Sequence, residues 1–227
     1  MPKGYLNIVL HAHLPYVRHP ESEEYIEERW LFEAISETYI PLLIYFDKLE
    51  KENVHFRITM NISAPLITML KDPLLQGRYR MYLLERIRLA GKEIKRTRDN
   101  KPLNDLAKMY FYNFKEFYRV YKRKYNSDLV EGFKHFQDIG VLEIIACPAT
   151  HGFLPLLYVN PSAVNAQIAT GVDVYKKAFG RAPRGMWLSE CAYIPELEPY
   201  LRKYGIKYVF LETHGIMNAN PKPIYGT

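Results

Sequence analysis

Five short apolar runs punctuate the chain: YLNIVLH (5–11), HFRITM (55–60), LEIIAC (142–147), RGMWLS (184–189) and KYVFLE (207–212). Each is nearly continuous rather than alternating, the pattern of strands covered on both faces in a parallel sheet. Between them, segments 30–50, 72–97, 102–125, 128–139, 161–178 and 195–204 carry apolar residues at helical spacing among good helix formers. Strand and helix alternating in this way predict an α/β fold with right-handed crossovers. The punctuation agrees: Pro73 follows Asp72, Asn160-Pro161-Ser162 can open a helix, and Gly180 and Gly205 stand where helices should stop. Residues 71–140 hold about three helices and no strand, which predicts a helical excursion over the rim of the sheet. The closing stretch KYVFLETHGIMNANPKPIYGT (207–227) leaves a strand for a Pro- and Asn-rich loop with no covering helix, so we expect a chain that is the front part of a longer polypeptide.

Totals narrow the picture modestly. A length of 227 residues permits one large α/β domain or two small ones. A balance of 31 basic against 25 acidic residues gives +6, too small an excess to imply a nucleic acid or another polyanion as partner. The aromatic and basic segment MYFYNFKEFYRVYKRKY (109–125) has Tyr110, Phe114, Phe117 and Tyr121 at helical spacing, which favours an amphipathic helix over an RNA surface. Cys147 and Cys191 are too few for a disulfide framework and read as reduced, consistent with a cytoplasmic protein. No run is apolar enough to span a bilayer and no signal peptide precedes the first strand, so no membrane partner is expected.

In parallel α/β folds the working groups come from the C-terminal ends of the strands. Here those ends are polar: His11-Ala12-His13, then Asn61, Thr150-His151-Gly152, Glu190-Cys191, and Glu212-Thr213-His214. Four of the seven histidines, His11, His13, His151 and His214, are thereby expected at one rim. Two histidines two apart on a strand share a face, and the spacing alone is equally compatible with Zn²⁺ ligation, substrate binding or structural hydrogen bonds. Glu190 stands inside GMWLSECAY (185–193), a run that otherwise resembles a core wall. A buried carboxylate there needs either a catalytic role or an ion pair, with Arg184 or a histidine as partner. Trp187 and Tyr193 read as core or, alternatively, as a platform for sugar rings.

Four motifs carry a resemblance. HAHLPYV near the start, ERWLFEAISETYIPLL (28–43), ACPATHGFLPLL (146–157) and GMWLSECAY together resemble glycoside hydrolase family 57, in family order along essentially the whole chain. The resemblance implies an incomplete seven-stranded (β/α) barrel of the glycoside hydrolase/deacetylase type with a helical insertion. Residues 1–227 would be its N-terminal part, with later strands and a C-terminal helical domain absent from this chain. It further implies a retaining enzyme acting on α-1,4-glucans such as amylose, amylopectin, glycogen or maltooligosaccharides. A 1,4-α-glucan branching enzyme is the first expectation, with α-amylase or 4-α-glucanotransferase as alternatives. By position, Glu190 is the implied nucleophile, and His11, His13, His151, Trp30 and Trp187 the implied substrate-binding residues, with no metal and no cofactor. A Zn-dependent barrel hydrolase using His11 and His13 is the more distant alternative.

A retaining mechanism needs two carboxyl groups, one attacking the anomeric carbon and one protonating the leaving oxygen. The family's general acid is an aspartate in a later motif that this sequence lacks, and neither Glu212 nor Asp173 stands in such a motif. We therefore expect the 227-residue chain alone to be inactive. Incubation with amylose should show no transfer and no hydrolysis, whereas turnover would defeat the expectation.

Overall fold

The computed structural model describes residues 4, 6–22, 25–222 and 224. The helices are α1 (Ile26–Ala34), α2 (Ile40–Lys51), α3 (Ala64–Leu70), α4 (Pro73–Arg96), α5 (Lys101–Arg119), α6 (Leu129–Asp138), α7 (Leu154–Leu157), α8 (Pro161–Phe179), α9 (Glu198–Lys203) and α10 (Thr213–Met217). The described chain forms two compact units, one drawn from residues 1–15, 57–67 and 137–227, the other from 16–56 and 68–136.

The first unit carries the strands. β1 (Val9–Ala12), β2 (Ile58–Ile62) and β3 (Leu142–Ile145) form a parallel sheet in that order, and β4 (Gly185–Met186) and β5 (Tyr208–Val209) a parallel pair. A parallel bridge between Ala146 and Met186 joins the two sets: Ala146 N–H donates to Gly185 O at 3.1 Å and Trp187 N–H to Ala146 O at 2.9 Å. The spatial order thus follows the sequence from β1 to β5, as in consecutive strands of a (β/α) barrel, whereas a doubly wound sheet reverses at a switch point.

Every expected run contains a strand, but the ladders are shorter or displaced. The run 5–11 becomes Val9–Ala12, with Tyr5 outside the described residues and Leu6 and Ile8 exposed; residues 225–227 of the closing loop likewise lie outside. An apolar run marks what can be covered, while a strand extends only as far as a neighbour supplies hydrogen bonds. The loop expected after β5 contains α10, and α3 and α7 also escaped the sequence reading, all three being too short to display a period.

The crossover from β3 to β4 is α8. Asn160 Oδ1 accepts from Ser162 N–H at 3.1 Å at its start, and Gly180 ends it in the left-handed region at φ 72°. Val164, Ile168, Val172, Tyr175 and Phe179 form its buried stripe. The Tyr175 hydroxyl lies 2.6 Å from Gln137 Oε1 and 2.8 Å from Ile144 O, tying α8 to β3. Gly171 brings α8 so close to the sheet that a Cβ there would stand 2.0 Å from the Cys147 carbonyl oxygen.

The second unit is helical. It holds α4, α5 and most of α6 from residues 68–136, and it also takes in 16–56. Two ion pairs join these segments: Arg18 to Asp72 at 2.7 Å, and Arg78 to the buried Glu28 at 2.6 Å. Arg78 also donates to the His19 carbonyl at 3.0 Å, pinning the stretch that precedes α1. Asp72 caps α4 by accepting from Leu75 N–H at 3.0 Å, with Pro73 in the first turn as the sequence predicted. π-helical turns at Ile35–Tyr39 and Val120–Lys124 interrupt the regular 3.6-residue winding of the expected helices 30–50 and 102–125. Both turns place residues in one aromatic core: Ser36 Oγ lies 2.9 Å from Tyr79 OH, and Tyr121 meets Tyr79 edge to face at 4.8 Å.

Alanine in a helix interior ordinarily gains about 1 kcal/mol over glycine. At Gly171 the sign should reverse: Gly171→Ala should lower stability by about 2–3 kcal/mol through overpacking against Cys147 O, read as a fall in the urea midpoint. An unchanged or raised midpoint would show that α8 is not seated on that carbonyl.

Candidate functional site

The candidate site lies within the first unit, where consecutive parallel strands end. His11 is in β1 and His13 one residue beyond it, so the two occupy the same face. His151 comes from the loop after β3 and Trp187 from the end of β4. Their rings converge: His13 stacks on His151 with centroids 4.0 Å apart and planes at 14°, and His11 lies 5.2 Å from His151. Trp187 stacks on His11 at 4.4 Å and leans on Phe210 at 5.9 Å. Glu190 completes the group with Oε1 3.9 Å from His151 Nδ1.

Glu190 is not part of a core wall. β4 ends at Met186 and the chain then turns, leaving the Glu190 side chain 76% exposed beside a His151 side chain that is 9% exposed. The turn is held by Cys191 N–H donating to Leu188 O at 2.9 Å and Ala192 N–H to Ser189 O at 3.2 Å. Its geometry is costly: Glu190 (φ 57°), Cys191 (φ 54°) and His151 (φ 57°) all adopt the left-handed region without being glycine. Each such residue costs on the order of 1–2 kcal/mol, and strain of this kind concentrates at functional sites. Arg184, weighed as a partner for Glu190, precedes β4 and interacts instead with Tyr208.

Burial sets the charge of the histidines. His13 is pushed down to about 4 by desolvation and then by the neighbouring His151 and His11. Desolvation also lowers His11 and His151, against a smaller opposing pull from Glu190 on each. All three rings are therefore neutral at pH 7, each with one N–H and one lone pair. His151 Nε2 and Ser189 Oγ are buried with no hydrogen-bond partner among the described residues, so the site retains unused bonding capacity.

His13 and His151 face each other ring on ring. Stacked rings direct their in-plane lone pairs along parallel planes rather than toward a common ion, and no group of three or more His, Cys, Asp or Glu among the described residues could hold a metal. The zinc alternative for His11 and His13 therefore lacks a ligand set. His214 does not join the cluster: it lies in α10, exposed, with Nδ1 3.0 Å from Glu212 Oε2. Asp173 is occupied on the outer surface of α8 by Lys177 at 2.7 Å. Trp30 belongs to α1 of the second unit and is 48% exposed, and Tyr193 is 38% exposed. Cys147 and Cys191 are both free thiols. The sequence reading missed Ser63, whose hydroxyl lies 2.9 Å from His13 Nδ1, although it stands two residues after Asn61 and hence on the same side of the extended chain.

Comparison with known proteins places this geometry. The pattern of Glycosyl hydrolase family 57 matches residues 7–226. A 1,4-alpha-glucan branching enzyme of Thermococcus kodakarensis is 36% identical over 239 aligned residues, covering 99% of this chain and 34% of the relative. Among solved structures, the alpha-amylase AmyC of Thermotoga maritima superposes with a TM-score of 0.92 at 46% identity, over 97% of this chain and 42% of the amylase. A family 57 branching enzyme from Pyrococcus horikoshii gives 0.89 at 35% identity, over 98% of this chain and 44% of its own. The chain thus spans about a third of the curated relative and under half of either solved structure. With the match running almost from end to end, the chain belongs to glycosyl hydrolase family 57.

Proposed function

We propose that this chain supplies the N-terminal part of the catalytic barrel of an enzyme that remodels α-1,4-glucans, in the first instance a 1,4-α-glucan branching enzyme. The observation that carries the reading is the convergence of three neutral histidines beside an exposed, backbone-strained Glu190 at the ends of consecutive parallel strands. The parent fold is a seven-stranded barrel, of which β1 to β5 are consecutive members, with the helical unit as its insertion.

In this reading the ionised Glu190 attacks the anomeric carbon of a bound glucosyl unit and displaces the leaving oxygen, giving a glucosyl ester that an acceptor then resolves. Glu190 suits the role because its side chain reaches open space and its turn is held by two backbone hydrogen bonds. Neutral histidines can both donate to and accept from sugar hydroxyls without competing with the carboxylate for a proton. Trp187, propped by His11 and Phe210, presents a fixed aromatic edge. The leaving oxygen takes its proton from a second carboxyl group. No helix among the described residues is long and apolar enough to cross a membrane.

The acceptor decides the reaction. The 6-hydroxyl of a second glucan yields an α-1,6 branch, and water yields hydrolysis. Hydrolysis is the second reading, favoured by the 46% identity to the Thermotoga maritima amylase. Incubating amylose with the natural polypeptide that carries this sequence separates them. Branching raises α-1,6 linkages with little gain in reducing ends, hydrolysis raises reducing ends, and neither change would overturn the α-glucan reading.

Within that polypeptide, Glu190→Gln should lower kcat by about 10³-fold or more while leaving the melting temperature nearly unchanged. Activity within tenfold of wild type would remove Glu190 from the nucleophile role. A second expectation concerns pH. His13 takes up its proton near pH 4 when folded but near its ordinary 6.5 when unfolded, so below 6.5 the unfolded chain binds more protons. The associated stability is complete above pH 6.5 and is lost as pH falls toward 4. Melting curves should show a shallower decline over that window for His13→Gln than for wild type, and parallel declines would refute the assignment.

A further inference from the structure

The histidines of β1 are matched, residue for residue, by polar side chains of β2. His11 pairs in register with Asn61, and the next same-face positions are His13 and Ser63. Ser63 N–H donates to Ala12 O at 3.0 Å, continuing the ladder past the strand end, and Ile67 N–H donates to Ser63 O at 2.9 Å to start α3. Ser63 is thus clamped from both sides and fully buried.

Its hydroxyl has one side-chain partner among the described residues, His13 Nδ1 at 2.9 Å. A buried hydroxyl proton without an acceptor costs about 1–3 kcal/mol. Were His13 protonated on Nδ1, it would donate to Ser63 Oγ and leave the serine proton with nowhere to go. Were Nδ1 bare, the serine would donate to it and both groups would be satisfied. Because His13 is neutral, its own proton must then sit on Nε2.

Asn61 imposes the opposite outcome on His11. Its Nδ2 donates to Ile145 O at 3.3 Å and Ala146 O at 3.1 Å, two oxygens that can only accept, so the amide cannot flip. Oδ1 is left as a fully buried acceptor with no hydrogen-bond partner among the described residues, and His11 is its in-register neighbour on β1. An unsatisfied buried acceptor favours the His11 tautomer that carries its N–H on the side of Asn61, which leaves the other ring nitrogen with its lone pair.

We propose that Ser63 and Asn61 are positioning residues that set the two histidines of β1 to opposite polarity, His13 as a donor through Nε2–H and His11 as an acceptor. Such a pair fits two neighbouring hydroxyls of one sugar ring, one oxygen accepting from His13 and the other hydroxyl donating to His11. The sugar as ligand rests on the function proposed above, whereas the tautomers do not.

The test separates the two. Long-range ¹H–¹⁵N spectra of histidine-labelled protein at pH 7 should show His13 with Nε2 protonated and Nδ1 bare, and His11 locked in a single tautomer. Ser63→Ala should leave His11 unchanged, release His13 into a mixture of tautomers, and raise KM for amylose about 3- to 10-fold, the worth of one neutral hydrogen bond. A His13 protonated on Nδ1 in the unaltered protein, or a Ser63→Ala spectrum identical to it, overturns the inference. The spectra need no turnover, so absence of α-glucan activity would count against the function and not against the tautomers.

Discussion

His11, Asn61 and Ile145 lie side by side in register across three parallel strands, and most of what this chain can do follows from that alignment. Parallel strands in register finish at one level, so whatever follows each strand emerges along one edge. Side-chain alternation then decides which residues face each other, and a slip of one residue would send both histidines of β1 to the opposite face. The Asn61 amide reinforces the register from within, since its two donations reach carbonyls of β3 and of the residue that bridges to β4.

Against that rigid base the site itself is strained. Three left-handed residues fall at His151, Glu190 and Cys191, while the other such non-glycine positions, Asn53, Asn126 and Ser127, occupy turns of the helical unit. Asparagine and histidine tolerate that conformation locally, but glutamate and cysteine gain little from it. The cost at the site is therefore carried by the surrounding packing: Leu188 and Ser189 are buried beneath the turn and Leu154 beneath the loop that bears His151. Desolvation acts in the same direction, keeping three clustered imidazoles uncharged where mutual repulsion would otherwise drive them apart.

Much of this was legible in the residues. Continuous apolar runs located all five strands, and Asp72-Pro73, Asn160-Pro161 and Gly180 fixed helix ends because capping is a local interaction written in adjacent residues. The gathering of His11, His13, His151 and Glu190 followed from strand ends together with the family's motifs. Other features were beyond a one-dimensional pattern. The exposure of Glu190 depends on a backbone turn that its apolar neighbours conceal, the exclusion of His214 on a short helix, and the wide turns at Ile35–Tyr39 and Val120–Lys124 on packing around Tyr79. Ser63 was invisible as a partner of His13 because the two are far apart in sequence and meet only across the ladder.

The division into two units also bears on how the chain acquires its structure. The sheet is assembled from three separate stretches, because the chain leaves it after β1 and again during α3 to build the helical unit. β1 and β2, and likewise β2 and β3, are therefore separated by long stretches of chain. Closing a long flexible loop grows more costly only slowly, by about 0.6 kcal/mol per doubling of length, but contacts between neighbouring helices form sooner than pairings distant in sequence. The pairings β1–β2 and β2–β3 are therefore non-local, the kind of contact that forms slowly. The histidines that line the strand ends meet only through these sequence-distant pairings.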